Sequence, residues 1–282
     1  MRITYIGGPT ALLELGGLRL LTDPTFDPAG TTYPTAEYTL RKTMGPARAS
    51  GSLLPVDAVL LSHDHHFDNL DHAGRAMLRA VPRVLTTMAG ASRLRERTIG
   101  LAPWQALDLT APDGRIVRVT ATPARHGPAH ADRGPVIGFV LEPEEDQAPT
   151  VYLSGDTVWY EGIQEVAARF PVDVALLFMG AARVAPAGPW NVTFTAEEGV
   201  EAARAFEGAA IVPVHFEGWE HFSESMTDIA QAFAAAAISS RLRWPAPGVP
   251  TEVEMAAKAR ARDALARYMK SPPLMESSVP VM

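Results

Sequence analysis

Eight histidines are present, and they fall into three groups. His63, His65, His66 and His72 lie in LSHDHHFDNLDHAG, His126 and His130 in TPARHGPAH, and His215 and His221 in VPVHFEGWEH. An isolated histidine is usually a surface or a satisfied core residue. Grouped histidines accompanied by carboxylates suit zinc, and also manganese or iron. The chain has no cysteine, so thiolate metal sites, disulfides and cysteine nucleophiles are excluded. Gly-x-Ser-x-Gly is absent as well, which argues against a serine hydrolase of the α/β-hydrolase type.

The groups sit where strands should end. Short runs rich in Val, Ile and Leu predict strands over residues 2–6, 11–15, 18–22, 57–62, 83–86, 115–122, 136–142, 150–154, 172–178 and 209–214. His63 and His215 directly follow two of these runs, His126 lies just past a third, and Asp156 just past a fourth. In layered α/β folds, ligands gather outside the carboxyl ends of strands, so four strand ends can deliver imidazole and carboxylate to one place. Amphipathic runs predict helices over 71–80, 161–170, 196–206, 225–238 and 252–269, with Thr195 and Glu198 forming a capping box. Hairpin-like strands first, then strands alternating with helices, imply a layered α/β domain. It is expected to span residues 1–270, with a tail over 271–282. Residues 24–55 are rich in Pro, Thr and Gly and read as a long functional loop or lid.

The 282 residues carry a formal charge of −7, which argues against a general nucleic-acid binder. No apolar run is long enough to cross a bilayer. The first residues lack the charged start and long apolar stretch of a signal peptide, so the expected location is cytoplasmic. The expected partner is a small-molecule substrate, and a homo-oligomer is left open.

Five motifs in order carry a family resemblance: LTDP (21–24), LSHDHHFDNLD (61–71), TPARH (122–126), YLSGD (152–156) and VPVH (212–215). With them the chain resembles the metallo-β-lactamase-fold hydrolase superfamily. It looks most similar to the ascorbate-6-phosphate-lactonase-like and N-acylphosphatidylethanolamine-phospholipase-like branch. The resemblance implies an αββα sandwich with one or two metal ions at one edge, zinc first, with Mn2+ or Fe2+ as alternatives. It implies that His126 binds the first metal, Asp156 bridges both, His215 binds the second, and Asp68 binds the second and handles protons. Asp23 is implied to orient a ligand imidazole. His130, Trp219 and His221 are expected to line the substrate pocket.

The family's usual H-x-H-x-D-H is altered here. In the preferred register, His63, directly after its strand, and His65 are the paired ligands, a residue is inserted before Asp68, and His66 is free to swing in. In the other, Asp64, His66 and Asp68 take the positions without a gap. Both put Asn69 where the family has histidine, so the second site is expected to be weak. The implied chemistry is attack by a metal-bound hydroxide on an ester, lactone or phosphodiester. Two other readings stay open: a non-catalytic metal-binding or ligand-binding protein, and a metal-dependent oxidoreductase of the di-iron type.

Overall fold

Along the central strands, apolar side chains occupy both faces, which requires cover on each side. In the computed structural model, residues 1–145 and 148–253 are described. The chain begins with β1 (Arg2–Gly7), β2 (Thr10–Leu15) and β3 (Leu18–Thr22), then a hairpin of β4 (Thr32–Pro34) and β5 (Thr39–Arg41). There follow β6 (Ala58–Leu60), α1 (His72–Met77), β7 (Val84–Thr87), α2 (Met88–Leu94) and β8 (Thr98–Leu101). The second half holds β9 (Ala106–Thr110), β10 (Ile116–Pro123), β11 (Ile137–Pro143), β12 (Val151–Leu153), α3 (Glu161–Arg169) and β13 (Val174–Phe178). It ends with α4 (Ala196–Ala205), β14 (Ala210–Val214), α5 (Met226–Ala235) and β15 (Thr251–Glu252).

Two sheets result, in the orders β15-β1-β2-β3-β6-β7-β8 and β14-β13-β12-β11-β10-β9. Each is antiparallel at one side and parallel at the other: β3, β6, β7 and β8 pair in parallel, as do β12, β13 and β14. Ile3, Leu13, Leu20 and Leu60 of the first sheet meet Val119, Phe139, Leu153, Leu176 and Val212 of the second in one buried core. The alternate residues face outward. Leu12, Leu21 and Val59 pack under Leu70 and Met77 around α1. Val140, Tyr152, Leu177 and Ile211 pack under Ile163, Val200, Ile229 and Phe233 of α3 to α5. The layers are therefore αββα, as expected.

All ten expected strands form, and the Thr195–Glu198 capping box opens α4. The expected helix over 71–80 is shorter: α1 gives way to a 3-10 turn at Leu78–Ala80. Glu252 lies in β15 rather than at a helix start, and the rest of that predicted helix, with the tail at 271–282, falls outside the described residues. Among the described residues no helix is long and apolar enough to cross a membrane.

Residues 24–55 are fastened down by a buried ionic node. Lys42 Nζ donates to Asp71 Oδ2 at 2.8 Å, both side chains being almost fully covered. Asp71 also caps α1 through Gly74 N and accepts from Asp27 N. Asp27 in turn accepts from the Tyr33 hydroxyl at 2.7 Å. The node ties the β4–β5 hairpin to the helix that follows the histidine-rich loop. Breaking a buried ion pair from one side leaves an uncompensated charge, so Lys42→Met should lower the unfolding free energy by about 3–5 kcal/mol. Urea unfolding measures this, and a loss under about 1 kcal/mol, the value typical of surface pairs, would mean that the node is not a fastening.

Candidate metal centre

Strand direction explains the gathering of the site. β10 and β12 are each antiparallel to β11, and β12, β13 and β14 are parallel, so β10, β12 and β14 end at the same edge. His126, Asp156 and His215 follow those ends. From the first sheet, β3 and β6 are parallel and end beside Asp23 and His63.

Three imidazole nitrogens converge there. His63 Nε2 lies 3.0 Å from His66 Nδ1, and His126 Nε2 lies 3.1 Å from the same atom. The opposite ring nitrogens are held. His126 Nδ1–H donates to the Val192 carbonyl at 2.7 Å. Ser62 Oγ gives its proton to Asp23 Oδ2 at 2.5 Å, so it accepts from His63 Nδ1–H at 2.9 Å. These bonds turn the Nε2 lone pairs of His63 and His126 inward. At most one proton can lie among three such atoms, so the arrangement calls for a cation.

Asp156 stands between two clusters. Its Oδ2 is 3.5 Å from His126 Nε2 and is buried with no hydrogen-bond partner among the described residues. Its Oδ1 is 3.2 Å from His215 Nδ1. His215 Nε2 lies 3.6 Å from Asp68 Oδ2, which also takes His221 Nε2 at 3.0 Å. His63, His126 and Asp156 place donor atoms within 4.8 Å of one another, as do Asp68, Asp156 and His215. His215 has φ +56°, a conformation costly for a side-chain-bearing residue and often found at functional sites.

Burial pushes the two residue types in opposite directions. It lowers His63 and His66 well below the usual histidine range and His126 to about 4. It raises Asp23 to about 7, and it raises Asp156 well above the carboxylate range with help from the charges of Asp68 and Asp23. Burial acts upward on Asp68 too, but the imidazoles of His215 and His221 beside it outweigh that and hold the carboxyl well below its usual value. A divalent cation suits such a set, because it binds neutral imidazole and ionises a buried carboxyl.

In the altered loop His63 and His66 meet at 3.0 Å between ring nitrogens, with His65 between them in sequence. His65 is the bulged residue: it is exposed, and its Nε2–H donates to the Arg133 carbonyl at 3.0 Å, although a donor atom stays within 4.8 Å of His63 and His66. Asp64 points away and is paired with Arg93 through both carboxylate oxygens. Asn69 is fully buried, and its Nδ2 donates to Asp23 Oδ2 at 3.0 Å and Asp156 Oδ1 at 3.2 Å.

Two of the expected pocket residues do not line the cleft at the histidines. His130 is exposed and stands edge-on to Trp190, not in the cleft at the histidines. Trp219 is buried with Tyr33 and Leu40 beneath Lys42, because the Lys42–Trp219 bridge pulls it behind the hairpin. His221 does reach the cleft, whose walls include Tyr38, Leu40, Arg133, Val184 and Val192. Sequence reasoning missed Ser62, Tyr38 and Arg133. Ser62 was legible as the residue before the first histidine, whereas the other two carry no pattern.

Comparison with known proteins agrees with this geometry. The model of the family described as "Beta-lactamase superfamily domain" matches residues 18–216. A UPF0173 metal-dependent hydrolase of Opitutus terrae is 30% identical over 233 residues, covering 77% of this chain and 85% of its own. One from Pyrobaculum neutrophilum is 28% identical, covering 77% and 84%. The crystal structure of an isothiocyanate hydrolase from Delia radicum gut bacteria superposes with a TM-score of 0.76 at 23% identity, over 90% of this chain and 99% of that one. With the strand ends, the histidine convergence and the carboxylate between the two clusters in place, the chain belongs to the β-lactamase superfamily, among its metal-dependent hydrolases.

Proposed function

We propose that the clusters hold divalent metal, zinc foremost, and that the protein hydrolyses an ester, lactone or phosphodiester. The observation that carries this is the convergence of His63 Nε2, His66 Nδ1 and His126 Nε2 at 3.0–3.1 Å. Tetrahedral donors on zinc lie about 3.3 Å apart, given bonds of about 2.0–2.1 Å. With Asp156 Oδ2 as the oxygen donor, the set is N3O, which suits zinc. Asp68, Asp156 and His215 form a second, oxygen-richer set, for which Mn2+ or Fe2+ is the alternative.

Metal held by His63, His66, His126 and Asp156 would supply Lewis acidity and lower the pKa of water toward neutrality. The chain's own groups do the rest. Asp23, through Ser62, fixes the tautomer of His63, and the Val192 carbonyl fixes that of His126. Asp68 Oδ2 is the proton acceptor, with its charge shared by His221 Nε2 at 3.0 Å. Asn69 is not a ligand in this reading. Its amide protons hold Asp23 and Asp156 in place. Ser62 is no nucleophile, since its hydroxyl is buried and committed on both sides.

Elemental analysis should find metal in the purified protein, and a strong chelator should abolish hydrolysis and lower the melting temperature. Full activity in metal-free protein would sink the reading. His66→Ala should strip metal from the first site; unchanged content would remove His66 from the set. Ser62→Ala breaks the link from Asp23 to His63 without touching a ligand atom. Competition against a chromophoric chelator should show about 10–100-fold weaker metal binding, and wild-type affinity would show that the link does not matter.

A further inference from the structure

Arg133 lies outside the proposed ligand set, yet the loop that carries it is built onto that set. Its backbone N–H donates to the His126 carbonyl at 2.8 Å. Its own carbonyl accepts from His65 Nε2 at 3.0 Å. The fold-back needs glycine at both ends: Gly127 and Gly134 each have φ +109°, and a Cβ on Gly134 would stand 2.9 Å from His65 Nε2. Residue 133 is thus clamped between the loops of two histidine groups.

Its side chain lines the cleft shared by His66, Asp68, His126 and His221. The side chain is only 20% exposed, and its ion-pair partner is Glu37, at 3.5 Å and itself 59% exposed. Arg133 Nε is buried with no acceptor among the described residues. A buried donor without an acceptor is costly, and a guanidinium matches planar or tetrahedral oxyanions through paired N–H bonds. Asp68, the other charged group of this cleft wall, is already engaged by His215 and His221. The loose pairing with Glu37 is of the exposed kind that contributes little. An incoming oxyanion can therefore displace Glu37 and satisfy Nε.

We propose that Arg133 recognises an anionic group on the substrate, a carboxylate or a phosphate, and that His65 is its positioning residue. The claim rests on the metallo-hydrolase reading for what lies beside it. It gives the bulged histidine a role that the metal set does not require.

Inorganic phosphate and acetate are to be titrated by calorimetry into metal-loaded wild type, Arg133→Ala, Arg133→Lys, His65→Ala and His65→Gln, with metal content measured in each. A charge-assisted hydrogen bond lost from a covered site weakens binding about tenfold or more. Arg133→Ala and His65→Ala should show that loss with full metal content, while Arg133→Lys and His65→Gln, which keep a donor, should recover part of it. The stronger of the two anions identifies the group. Equal anion affinity in wild type and Arg133→Ala overturns the proposal. Loss of metal from His65→Ala overturns the positioning role. A wild type that takes up no metal defeats the hydrolase reading instead, and the comparison with Arg133→Ala still decides the anion site.

Discussion

The Asp23 carboxylate is the point on which the site depends. It accepts from the backbone N–H and the hydroxyl of Ser62 and from the amide of Asn69, while it is almost wholly removed from water. Those bonds join the end of β3, the start of the histidine loop and, through Asn69, the bridging Asp156. A carboxylate has room for several donors, so one buried acid can set the relative positions of three segments. Each of the three is otherwise a loop end with freedom to shift. The alternatives at this position, an amide or a hydroxyl, cannot accept all three bonds and also leave the His63–Ser62 orientation defined.

The same burial makes the cluster electrically unfinished. Its histidines are pushed toward neutrality and Asp156 toward the protonated form, so the chain alone meets its polar groups only in part. Asp156 Oδ2 and both ring nitrogens of His215 are buried without a hydrogen-bond partner among the described residues. Native proteins leave few such atoms, and those left over mark function or an ion. The packing around them is in contrast complete, since the strands beneath are apolar on both faces and sealed by helices.

Much of this was legible in the residues, and the failures have physical causes. The central strands are apolar runs rich in Val, Ile and Leu, buried on both faces, and that composition marked even the three-residue β6 and β12. β8 and β9 are edge strands with half-exposed residues, and β4 and β5 hold one buried residue each between exposed ones, so no apolar run marks them. The positions of His126, Asp156 and His215 at strand ends could be read because strand direction fixes them. The loop register could not. Which of three nearby histidines bulges outward depends on Arg133 and Arg93, which bind His65 and Asp64 from distant segments. Trp219 sat among chemically suggestive neighbours, but its bridge to Lys42 is a long-range pairing that adjacency in sequence does not reveal.

The origin of the proposed ligands has a bearing on how the molecule folds. His63 and His66 come from the first sheet's half of the chain, whereas His126, Asp156 and His215 come from the second. In the proposed set neither half supplies every donor, so the full affinity for an ion would appear only once contacts of high sequence separation exist. An ion bound there acts as a cross-brace between the halves, and its binding energy adds to the cohesion of the sandwich rather than to either sheet alone. Loss of such an ion would then weaken the seam between the sheets rather than either sheet alone.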